Sequence, residues 1–98
     1  MPIIVQKYGG TSIGSIEKIN TVANKIVAEK NNGNDLVVVV SAMSGETNRL
    51  LKLAKQANSD ASGRELDVLV STGEQVTISL LALALIEKGY KALSLIHI

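Results

Sequence analysis

Two glycine-bearing segments hold the residue types that phosphate chemistry needs. Lys7-Tyr8-Gly9-Gly10-Thr11-Ser12 sets a cation and three hydroxyls around a bare pair of glycines. Adjacent glycines let backbone N–H groups come close to an anion, and a helix opening just beyond aims its positive end at the same point. Lys7 would add a full positive charge there. Neither standard nucleotide fingerprint is present. Gly9-Gly10-Thr11-Ser12-Ile13-Gly14 has the wrong spacing for G-x-G-x-x-G, and no G-x-x-x-x-G-K-[ST] occurs. The same pair also suits an ordinary strand-to-helix turn, where glycine is common for steric reasons. Taken alone, the pattern leaves both readings open.

The second segment, Ser41-Ala42-Met43-Ser44-Gly45-Glu46-Thr47, is rich in small and polar residues. Thr47 has two readings, as a helix N-cap that needs no ligand or as a ligand contact. Glu74 has two as well. At a helix start its carboxylate is favoured by the dipole, by roughly 0.3–1 kcal/mol, and between two buried stretches it could recognise an ammonium group. Arg64, Glu65 and Asp67 read as a solvated helix surface. His97 is the single histidine and there are no cysteines, so neither a zinc site nor a Cys/His dyad can be assembled.

The elements that must position these residues follow from periodicity. Ile3-Ile4-Val5 is a β-branched run ending at Gln6-Lys7-Tyr8, which reads as a buried strand entering a turn. Ser12 and Ser15 are both credible caps for the helix that follows. In it Ile16, Ile19, Val22, Ala23, Ile26 and Val27 recur at helical spacing. Asn31-Asn32-Gly33-Asn34 stops it, with Gly33 suited to a left-handed cap. Leu36-Val37-Val38-Val39-Val40 is apolar without alternation, as expected of a central strand covered on both faces, usually in a parallel sheet. Strand, helix, strand makes a βαβ unit, and ligands of such sheets bind outside the carboxyl ends of the strands. Both candidate segments fall there.

Thr47 can cap a second helix carrying Leu50, Leu51, Ala54 and Ala57 on one face. Leu66 to Val70 could be strand or helix from these residues alone. Val76 to Leu85 form a nearly all-round apolar helix ending at Gly89, of the kind normally buried on most of its circumference. Lys91-Ala92-Leu93-Ser94-Leu95 reads as the start of a third strand.

Composition removes several function classes. The chain has 98 residues, 46% hydrophobic and 19% charged, with a net charge of +1, which suits one small folded unit rather than a disordered chain. Without cysteine, disulfide and thiolate-metal chemistry are excluded. Two aromatic residues and a near-neutral balance do not support a nucleic-acid surface. The apolar stretch from Ile78 to Ile86 is far shorter than the ~20 residues of a membrane span, and no basic leader is visible at the N-terminus. The expectation is a soluble, cytoplasmic α/β chain.

Lys7 to Ser12, Val37 to Thr47, and Ser71-Thr72-Gly73-Glu74-Gln75, in that order and at these intervals, resemble the aspartokinase family over nearly the whole chain. The resemblance implies a three-layer amino-acid kinase (carbamate kinase-like) fold, present in part, with a parallel-rich sheet between helices. It also settles Leu66 to Val70 as helix, with Gly73-Glu74-Gln75 opening a further long helix. It implies ATP-dependent phosphorylation of the L-aspartate side chain, the first step toward lysine, threonine and methionine. Lys7 would neutralise the phosphoryl group in flight, and Tyr8, Gly9 and Gly10 would line the ATP phosphates. Ser41 would be a further nucleotide contact. Thr47 and Glu74 would bind aspartate, with Glu74 on its α-ammonium. Mg²⁺ would accompany ATP without an identified protein ligand in this stretch.

Residues 1–98 are expected to be the N-terminal part of such a kinase domain, inactive alone, from a parent that is oligomeric and acts without nucleic acid or membrane. No regulatory ACT domain is expected within these 98 residues. Residues 93–98 resemble the translation of a sequencing-adapter end. Two rival readings remain: a related kinase acting on glutamate, N-acetylglutamate or a nucleotide, and a non-catalytic α/β module docking through the Ile78 to Ile86 helix.

Overall fold

A computed structural model of the chain describes residues 2–95. The order is β1 (Ile3–Tyr8), a 3₁₀ turn (Gly10–Ile13), α1 (Ile16–Asn31), β2 (Asp35–Val40), α2 (Glu46–Ala57) and α3 (Arg64–Glu87). β1 and β2 pair in parallel, Ile3 with Asp35 through Tyr8 with Val40, so both strands leave the sheet at the same end. This is the βαβ unit expected from the sequence, with α1 as its crossover.

α1 begins where Ser15 accepts the Lys18 backbone N–H on its side chain at 3.2 Å, satisfying one of the helix's orphan donors. It ends at Gly33, whose φ of +87° is open to glycine and strained for other residues. Ile19, Val22, Ala23 and Ile26 are its buried face. With Ile13, Val40 and Leu81 they form the core, against which Tyr8, Leu36, Val38 and Ile78 pack. Lys30 pairs with Asp35 at 2.9 Å across the α1–β2 connection, and Tyr90 Oη donates to Asn31 Oδ1 at 2.7 Å, tying the end of α3 to the end of α1.

Several expectations change. β2 is not covered equally on both faces: Leu36, Val38 and Val40 turn toward the core, while Val37 and Val39 stay about half exposed. In β1, Ile3 and Val5 are exposed in the same way, at 69% and 66%. The unbroken apolar run reflects two faces of which α1 and α3 cover one. Residues 64–87 are a single helix, so Glu74 stands in its interior rather than at a helix start, and the dipole explanation of that carboxylate fails. α2 is entered through Gly45, at φ +82°, with no side-chain cap, so Thr47 is an exposed first-turn residue and not the N-cap. Residues 91–95 form no strand among the described residues. His97 and the end of the adapter-like stretch lie outside them.

α3 is long and apolar enough, by length and composition, to cross a membrane, which the shorter Ile78 to Ile86 stretch did not suggest. One side of it packs against α1, α2 and β2, but Val76, Leu83 and Ile86 stay half or more exposed, so the helix is not buried around most of its circumference as its all-round apolar composition suggested. Thr77, fully buried in its middle, returns its hydroxyl to the Gly73 carbonyl at 3.2 Å.

Candidate active site

The parallel register delivers Lys7-Tyr8-Gly9-Gly10 and Ser41 to one end of the sheet, where the Ser41 N–H donates to the Tyr8 carbonyl at 3.2 Å. Beyond the strands, three glycines fasten the loops together by lacking a side chain. A Cβ on Gly10 would lie 2.9 Å from the Ala42 carbonyl oxygen, and one on Gly14 would lie 3.3 Å from Ser44 Cβ. From the other side, a Cβ on Gly73 would meet Ala42 Cβ at 3.0 Å and Glu46 Cγ at 3.3 Å. Ala42 is therefore the junction of all three sequence segments, touched by Gly10 from the first and Gly73 from the third. Residues more than sixty positions apart in the chain become neighbours there.

Gly9 is different. Its φ of −82° is open to any residue, and a Cβ would meet nothing within 4 Å. Nothing in the fold requires glycine at that position. The bare backbone leaves space for something outside the chain.

Lys7 is exposed at the last position but one of β1, in register with Val39, on the strand face opposite the core. Tyr8 points the other way. Its ring packs on the core and its hydroxyl donates to Gln6 Oε1 at 3.0 Å, so it can serve an anion only through its backbone. Burial pushes the Tyr8 hydroxyl above its ordinary pKa, and the negative Glu29 adds to this. After Gly9 the chain enters the 3₁₀ turn, closed by Ser12 N–H on the Gly9 carbonyl at 3.0 Å, rather than α1 directly. The positive end of α1 is thus set back by a turn and capped by Ser15.

Ser41 is half-buried beside Ala42. Thr47 is exposed on α2, and Glu74 lines a groove of about 1030 Å³ along the outer edge of β2, with Ser71, Gln75 and Val40. The structure gathers the segments carrying Lys7, Gly9, Gly10, Ser41 and Glu74 around one end of the sheet. No hydrogen bond joins the Lys7, Thr47 and Glu74 side chains among the described residues.

One pair was missed from the sequence. Glu46 and Arg49 form a two-pronged ion pair on the first turn of α2, with Arg49 Nε at 3.1 Å from Glu46 Oε2. The hydrogen bonds from Arg49 hold the Glu46 carboxyl below its ordinary range. The i, i+3 spacing of opposite charges was the available signal. Among the described residues no group of three or more metal-ligating side chains is assembled.

The model of the amino acid kinase family matches residues 2–97. The chain belongs to the amino acid kinase family. Within that family it is 62% identical over 95 residues to an aspartokinase of Geobacillus stearothermophilus, which is 97% of this chain and 23% of the relative. It is 63% identical over 94 residues to an aspartate kinase of Pseudomonas putida, which is 96% of this chain and 23% of the relative. The crystal structure of aspartate kinase from Synechocystis superposes with a TM-score of 0.91 at 53% identity, covering 95% of this chain and 16% of that one. The three-layer α/β amino acid kinase fold, present in part, is thereby established. The chain spans about 23% of the length of the curated relatives it matches.

Proposed function

We propose that the protein carrying this chain is an aspartokinase, transferring the γ-phosphoryl group of ATP to the side-chain carboxylate of L-aspartate. A carboxylate oxygen forms the new bond to phosphorus while the bond to the β-phosphate oxygen breaks, giving 4-phospho-L-aspartate and ADP. The observation that carries the reading is the convergence of three segments on Ala42, with an exposed lysine and an unencumbered glycine at the sheet end. The relatives named aspartokinase support it.

Two anionic partners must be held in contact, so the protein's task is alignment and charge neutralisation rather than covalent work. Lys7 neutralises the phosphoryl group as it moves. The Gly9 and Gly10 backbone lines the ATP phosphates, with Tyr8 contributing main chain only, and Ser41 makes a further nucleotide contact. Thr47 and Glu74 bind aspartate. Glu74 is exposed in the interior of α3 rather than between two buried stretches, and its assignment is supported by the Gly73-Glu74-Gln75 motif and by its place in the groove beside β2. Mg²⁺ belongs to the nucleotide here, supplying charge compensation on the phosphate oxygens. The protein is cytoplasmic and works in amino-acid biosynthesis, with a complete form that is oligomeric and uses neither nucleic acid nor membrane.

The test is ADP release by the complete gene product with Mg²⁺-ATP and one acceptor at a time. Aspartate should support turnover, and glutamate and N-acetylglutamate should not. Turnover with either of the latter, and none with aspartate, assigns a different acceptor.

A further inference from the structure

We propose that Lys18 is a positioning residue for the nucleotide, bracing the glycine turn from α1 and adding a second positive charge beside it. The inference rests on the nucleotide reading above and deepens it. Lys18 lies in the first turn of α1, and its side chain runs back to donate from Nζ to the Thr11 carbonyl at 2.9 Å. Thr11 belongs to the 3₁₀ turn that follows Gly9. The terminal carbonyls of such a short turn lack partners within it, and the ammonium supplies one.

The position runs against local electrostatics. The opening turn of a helix favours anions and disfavours a cation. No carboxylate accounts for Lys18 either, since the ion pairs among the described residues are Lys30–Asp35, Arg49–Glu46 and Arg64–Glu65. Its one side-chain hydrogen bond is to the Thr11 carbonyl, and an anion brought to the turn would complement the charge that bond leaves uncompensated. On its other side the turn leans on Ala42 and Ser44 through Gly10 and Gly14. The Gly9–Ile13 segment is thus gripped between a packed loop and the Lys18 ammonium. A triphosphate carries several negative charges, and a cation fixed on the turn that would cradle it adds to the attraction.

The experiment uses the complete gene product and compares Lys18→Met and Lys18→Arg with the parent, reading both KM values, kcat and Tm. Lys18→Met should raise the KM for ATP at least about fivefold while the KM for aspartate moves less than about twofold. Lys18→Arg keeps charge and donors, and should restore the ATP value to within about twofold of the parent. An unmoved ATP KM in Lys18→Met overturns the inference. So does an equal rise in both KM values with a lowered Tm, or a failure of arginine to rescue. Aspartate-dependent ADP release by the parent is measured first. Its absence overturns the functional reading, whereas its presence with an unmoved ATP KM overturns only the role of Lys18.

Discussion

At the level of single residues, the contrast between Gly9 and Gly10 separates folding from binding. Gly10 is demanded by the Ala42 carbonyl, whereas Gly9 has ordinary backbone angles and open space where a Cβ would stand. Gly9→Ala should therefore leave stability unchanged or raise it by up to about 1 kcal/mol, by restricting the unfolded chain. It should also raise the KM for ATP in the complete enzyme. A thermal melt and a nucleotide titration on one preparation check both halves, and an unaltered ATP KM would return Gly9 to the status of a plain turn. Lys7→Ala should lower kcat at least ~10²-fold, since its charge is needed most when the phosphoryl group is in transit. Glu74→Gln should act mainly on the KM for aspartate. Lys7, Gly9 and Glu74 were legible in the sequence as types at intervals. The divided labour of the two glycines was not, because it depends on which atoms of a distant loop lie opposite each.

At the level of elements, loops rather than helices hold the site together. Gly10→Ala pushes a methyl group against backbone, which cannot swing aside, and should cost about 1–3 kcal/mol with loss of activity. Gly73→Ala meets Glu46 Cγ, which can rotate aside, and Ala42 Cβ at 3.0 Å, which moves only with its backbone. Alanine also gains about 1 kcal/mol of helix propensity there. Its net effect on stability should stay within about 1 kcal/mol, less than that of Gly10→Ala by chemical denaturation. The opening turn of α2 should be acid-sensitive. Arg49 lowers the Glu46 pKa below 4.5, so the pair's support is present above that value and is lost as pH falls through the lower folded value. A carboxyl NMR titration should place the Glu46 midpoint below 4.5, and Arg49→Gln should move it back up. An identical midpoint in both proteins would dissolve the pair. The sequence showed α1 well through its apolar period but left Ser12 and Ser15 as alternative caps, of which the structure uses Ser15 and places Ser12 in the 3₁₀ turn. It misplaced the start of the helix bearing Glu74, because glycine at 73 reads as a break. Only the tight contact with Ala42 shows that it is an approach point inside one long helix.

At the level of the whole molecule, the exposed sheet face is the dominant liability. Ile3, Val5, Val37 and Val39 lie open on one side of a two-stranded sheet, and such faces and edges drive association. The 98-residue chain on its own should show no aspartate-dependent ADP release and should self-associate with rising concentration. Replacing Val5 and Val39 by lysine should reduce that association. Sedimentation of the original chain as a monomer across the concentration range would show the face to be harmless.

By itself the sequence determined the elements whose signals are local: β-branched runs, helical periods, a serine cap, a left-handed glycine stop. It also determined the family, through three ordered motifs. Which motif residues meet was decided by tertiary structure alone. Parallel pairing sends both strands to one end, and two glycines then admit Ala42 between α3 and the first turn. Which strand face is covered was likewise decided there, because an unbroken valine run carries no alternation from which to read it.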